Sequence, residues 1–69
     1  MITVRTSKIK GLIVRAGLTQ VAFASKIGVT QGYASLFLSG RRGISPPIAK
    51  EITAVLKCEF DDVFEVKEG

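Results

Sequence analysis

The sequence contains no histidine, no tryptophan and a single cysteine, Cys58. Without histidine, and with one thiol, the usual zinc ligand set is missing and no intramolecular disulfide can form. Acid–base and nucleophilic chemistry loses its commonest partner in the same way, and no phosphate-cradling glycine loop takes its place. The paired acids Asp61 and Asp62 suit the N-terminal end of a short helix rather than a catalytic dyad. The residues therefore point away from an enzyme and require no cofactor or metal. Cys58 falls at a helix end where an apolar residue would pack, and a free thiol there behaves as a small hydrophobe. Apolar runs fall far short of the ~20 residues a membrane span needs, and no signal-peptide pattern is seen. A cytoplasmic protein is expected.

Anions are missing from most of the chain. Every acidic residue lies at or after Glu51, whereas Arg5, Lys8, Lys10, Arg15, Lys26, Arg41, Arg42 and Lys50 precede it with no acid among them. The net charge of +4 thus divides into a basic body and an acidic tail. A one-signed body of this kind suits a polyanionic partner better than an ordinary mixed surface does. The acidic end is expected to turn away from that partner.

At 69 residues, of which 46% are hydrophobic, the chain makes a single domain over 1–69 with a compact core. A domain of this size buries only about 60% of its unfolded surface. The apolar residues recur at helical spacing almost throughout, which predicts an all-α fold. In 1–6, Ile2 and Val4 alternate with polar neighbours, but a lone short strand has no obvious partner. The ends 1–5 and 65–69 read as flexible. A helix is expected from Thr6 or Ser7, capped by a hydroxyl, with Ile9, Leu12, Ile13 and Ala16 inward, Lys8, Lys10 and Arg15 outward, and Gly17 as its stop. Gly11 weakens it by ~1 kcal/mol relative to alanine; the close approach of a neighbouring helix would account for it.

The stretch 18–40 reads as two short helices joined at Gly28. Thr19 caps the first, and Phe23, Ala24 and Ile27 form its inner face. Gly28 supplies the left-handed conformation that ends it, and Val29 fills the gap between the pair. Thr30 caps the second, whose inner face is Tyr33, Ala34, Phe37 and Leu38. Arg41, Arg42 and Gly43 form a basic loop. Ser45-Pro46-Pro47 is a strong helix start, followed by Ile48, Ala49, Ile52, Val55 and Leu56 on one face. A last short helix or turn over 60–64 closes the core with Phe60, Val63 and Phe64, and 65–69 is a polar tail.

The spacing of Thr19-Gln20, of Ala24-x-Lys26-Ile27-Gly28-Val29-Thr30, of Tyr33-x-Ser35 and of Ser39-Gly40-Arg41-Arg42 resembles the helix-turn-helix of Cro-like and lambda-repressor-like regulators. The resemblance runs without a gap from about Gly17 to Phe64, with the motif at about 19–39. It implies a five-helix lambda-repressor-like domain whose second motif helix enters the DNA major groove while the first crosses the backbone. Gln31, Gly32, Ser35 and Leu36 then match base-contacting positions. Gln31 can pair with adenine, and Leu36 offers only apolar contact, as to a thymine methyl. Gln20, Thr30, Arg41 and Arg42 match phosphate-contacting positions.

Two departures stand out. Family members often pair an arginine in the first helix with a late glutamate in the recognition helix; Ile13 and Leu38 stand there instead. Replacing a buried ion pair by packed hydrophobes is often neutral or stabilising. The probing face is also unusually apolar, with Val21, Ala22, Gly32 and Leu36 where polar groups are usual. Such a patch can mark a protein interface. Two functions are therefore expected. One is a small phage- or mobile-element-type transcriptional regulator binding double-stranded DNA, as a homodimer formed through the C-terminal helix. The alternative is a modulator or antirepressor whose helix-turn-helix surface, through Val21, Ala22 and Leu36, grips a partner repressor.

Overall fold

The computed structural model describes residues 1–67; Glu68 and Gly69, the end of the expected polar tail, lie outside the described residues. In chain order the elements are β1 (Ile2–Val4), α1 (Thr6–Arg15), α2 (Gln20–Ile27), α3 (Gln31–Leu38), α4 (Pro46–Leu56), α5 (Phe60–Val63) and β2 (Phe64–Val66). Five helices with two short strands make a lambda-repressor-like, mostly helical fold.

The motif helices start and stop as their residues require. The Thr19 hydroxyl oxygen accepts the Ala22 N–H at 3.1 Å, and Thr30 accepts the Tyr33 N–H at 3.1 Å. At Gly28, φ is +78°, a left-handed conformation. This lets the Gly28 N–H reach the Ser25 carbonyl at 3.2 Å and the Val29 N–H reach the Ala24 carbonyl at 3.0 Å. That pair of bonds satisfies carbonyls the helix end would otherwise leave open.

The other two hydroxyl caps are not formed. Arg5, not Thr6 or Ser7, precedes the first turn of α1, and no side chain caps it. Its start is fixed by the Arg5 N–H donating to the Val63 carbonyl at 2.7 Å. Ser45 also makes no capping bond ahead of α4. Pro46 and Pro47 lack two of the N–H groups a cap would serve, so little is left to satisfy.

Every helix sends apolar side chains into one core. Ile9, Phe23, Phe37, Ile52, Val63 and Phe64 are its largest fully buried side chains. Phe23 and Phe37 meet edge to face, with centroids 6.4 Å apart and planes at 65°, an arrangement worth about 0.5–1.5 kcal/mol beyond area burial. Ile13 and Leu38 are 6% and 2% exposed, so the positions of the family's ion pair have become part of the apolar core. Ala16, expected inward, is exposed because it lies beyond the last residue of α1. Gly11 faces open space, with nothing within 4 Å of where a Cβ would stand. No neighbouring helix approaches it, and nothing in the structure explains that glycine.

The chain ends also depart from expectation. β1 pairs antiparallel with β2, joining Ile2 to Val66, Thr3 to Glu65 and Val4 to Phe64. Ile2 bridges Ile44 on its other side. The segment 1–5, read as flexible and with no obvious strand partner, therefore has one on each side. Two strands alone are marginal in water; here Ile2, Val4 and Phe64 lean on the core.

Candidate nucleic-acid interface

Tyr33, Ala34, Phe37 and Leu38 turn inward from α3. Gln31, Gly32, Ser35 and Leu36, at the complementary helical positions, are all exposed. A Cβ at Gly32 would meet nothing within 4 Å, so the backbone there is open to close approach. Gln20 is exposed as the first residue of α2. Thr30, also exposed, uses its hydroxyl oxygen as a cap acceptor and keeps its O–H free to donate. Val21 and Leu36 are 56% and 40% exposed, whereas Ala22 is half-buried and offers less surface than its neighbours.

The basic loop is held at both ends. The Arg41 N–H donates to the Leu36 carbonyl at 3.0 Å, and the Ile44 N–H donates to the Ile2 carbonyl at 2.9 Å. Between them, the Arg42 guanidinium lies 5.0 Å from the Tyr33 ring centroid. Tyr33 in turn packs edge to face on Phe37, with centroids 5.5 Å apart. A cation over an exposed ring is worth about 0.5–1 kcal/mol. The core thus reaches outward through two rings to place one arginine beside α3. The inward reading of Tyr33 missed this, since the ring is only half-buried and no spacing rule links it to Arg42.

A family model described as helix-turn-helix covers residues 9–63. The chain belongs to that helix-turn-helix family, of the Cro/C1 type. No curated protein and no solved structure matches it. The family is a DNA-binding one. Its matched span runs from Ile9, within α1, to the end of α5 in this helix-turn-helix protein and leaves both strands outside.

The sheet also brings the acidic end back. β1 lies between Ile44 and β2, so Glu65 is about two strand spacings, ~10 Å, from the segment after the basic loop. Glu65 therefore does not stand at a pole opposite the basic loop. Near the acidic end, the Cys58 thiol is pushed above its usual range, first by burial and then by the charges of Asp62 and Glu59. A raised thiol is a poor nucleophile at neutral pH. Val63 and Phe64 are spent in the core, which leaves only half-buried Phe60 of the apolar residues expected to form a dimer surface. Among the described residues no group of His, Cys, Asp and Glu could hold a metal, and no helix is long and apolar enough to cross a membrane.

Proposed function

We propose that this protein is a small transcriptional regulator that reads duplex DNA with α3 in the major groove. Gln31 hydrogen-bonds a base edge, Gly32 admits close approach, Ser35 reaches a base or phosphate, and Leu36 packs on a thymine methyl. Gln20, Thr30, Arg41 and Arg42 hold phosphates. The observation that carries the reading is the exposed face of α3 formed by Gln31, Gly32, Ser35 and Leu36, flanked by an arginine loop held in place at both ends. One such module reads few base pairs, so two copies act on half-sites about 34–36 Å apart. The test selects a preferred duplex from random sequence and measures affinity for it and for scrambled DNA. Gln31→Ala should lower discrimination by about 1–3 kcal/mol. With about five phosphates neutralised, log K should fall with log salt at a slope of about −4 to −5. Equal affinity for all sequences before and after the substitution would refute the base-reading role.

The exposure of Val21 and Leu36 favours a second reading, in which this surface binds a partner repressor and touches DNA only jointly. A gel shift seen only with the partner present, and lost in Leu36→Asp or Val21→Asp, would decide for it.

A further inference from the structure

Away from the reading face, an open groove of about 570 Å³ lies where α1, α2 and α4 end. Its floor includes Leu12, Leu18 and Val55, and its rim carries Arg15, Lys26 and Lys57. An adjoining groove shares Leu12, Arg15 and Lys57 and adds Lys8. Among the described residues the only carboxylate lining either groove is that of Asp62, which is already engaged in accepting the Glu59 N–H at 3.1 Å. We propose that this groove binds a segment of a partner protein that carries carboxylates around an apolar side chain.

Three observations lead there. The first is charge. Helix C-termini each bring about −0.5 of an elementary charge, so three of them do not cancel three full cations and the rim stays positive. The second is the kind of group the site accepts. Capping bonds take up the carbonyls of Leu12, Ile13, Val14, Ala24, Ser25 and Thr53, but the last carbonyls of a helix have no helical partner, and a peptide has backbone N–H donors for them, while a nucleic-acid backbone has none. The apolar floor likewise suits a side chain rather than a phosphate.

The third is Lys57. α1, α2, α3 and α4 end in the same way, with a left-handed residue just past the last turn. Glycine holds that position at 17, 28 and 40, with φ of +73°, +78° and +79°, but α4 has Lys57 there at φ +53°. A lysine is strained where glycine is not. The side chain is kept at a conformational cost, and it points to a use that a helix stop alone does not need.

The groove lies at the far end of the helices that face DNA. α2 offers Gln20 from its N-terminal end to DNA and Lys26 from its C-terminal end to the groove, about 9–12 Å apart. α4 likewise starts beside the basic loop and ends at Lys57. DNA and peptide can therefore be held together, and the docking proposal does not depend on the base-reading proposal.

The test measures fluorescence anisotropy of a labelled peptide of alternating aspartate and leucine with the whole protein. A lysine–leucine peptide, an aspartate–serine peptide and an unlabelled duplex serve as comparisons. Only the aspartate–leucine peptide should bind, and excess duplex should leave it bound. Lys57→Gly should weaken it about two- to fivefold, the worth of one exposed ion pair, while the melting temperature stays equal or rises because glycine relieves the backbone. Loss of binding therefore cannot be blamed on unfolding. Unchanged affinity in Lys57→Gly, equal binding of any comparison peptide, or displacement by duplex would overturn the proposal.

Discussion

Gly43→Ala tests whether the chain ends fix the basic loop. The backbone at Gly43 is one an alanine can adopt, since it is not among the positive-φ glycines. In open space the substitution would stabilise the fold by about 0.4–1 kcal/mol through the unfolded chain. The structure reverses that sign. An added Cβ would stand 2.5 Å from Met1 Cγ, 2.8 Å from Met1 Sδ and 2.8 Å from the Ile2 carbonyl oxygen. Met1 is 74% exposed and its side chain can swing aside. The Ile2 oxygen cannot, because it accepts the Ile44 N–H at 2.9 Å within the sheet that also holds Val66. Moving it by several tenths of an ångström carries the cost of overpacking, about 1–3 kcal/mol, which exceeds the entropic gain. Thermal unfolding followed by circular dichroism should give a melting temperature lower by about 4–8 °C for each kcal/mol lost. DNA affinity, measured well below that temperature, should fall through the phosphate contacts proposed for Arg41 and Arg42, with little change in which sequence is preferred. A melting temperature equal to or above the parent's would refute the reasoning, since it would mean that β1 is not held against the loop in solution.

Two further predictions concern local groups. Thr19→Ala and Thr30→Ala should each cost about 1 kcal/mol in chemical denaturation, with an unchanged denaturant slope; a loss shared by Ser45→Ala would contradict the capping geometry, since Ser45 makes no capping bond. The raised pKa of Cys58 means that the unfolded chain loses its thiol proton first as pH rises. Stability from this group is therefore full below about pH 9.0, the ordinary thiol value, and is lost as pH climbs toward the folded value. Unfolding midpoints of the parent and Cys58→Ala across that range should converge at high pH, and a parent that gains stability relative to Cys58→Ala would contradict the assignment.

What the sequence disclosed divides along the range of each interaction. The caps at Thr19 and Thr30, the left-handed Gly28 and the inner faces of α2 and α3 are set within a few residues, and their spacing was enough to read them. Ile13 and Leu38 were legible as a matched exchange because both ends became apolar, and both lie in the core. The pairing of Ile2–Val4 with Phe64–Val66 was not legible. Three alternating residues bury too little to announce a strand, and their partner is some sixty residues away. The perch of Arg42 on Tyr33 was hidden for a different reason: a ring half in the core and half in solvent matches neither an inward nor an outward pattern.

These two unread features act on the same loop. Ile2 holds its far end at Ile44, Tyr33 holds its middle through Arg42, and the Leu36 carbonyl holds its start at Arg41. A flexible arginine loop would surrender side-chain freedom of up to about 2 kcal/mol per residue on meeting a phosphate. A loop restrained beforehand surrenders less, which matters most for a domain that meets DNA through few residues. The strands outside the family span therefore bear directly on how firmly the arginine loop beside α3 is presented. Loosening them should weaken binding before it alters sequence preference, because the residues of α3 proposed to face the bases are carried by the core and not by the sheet.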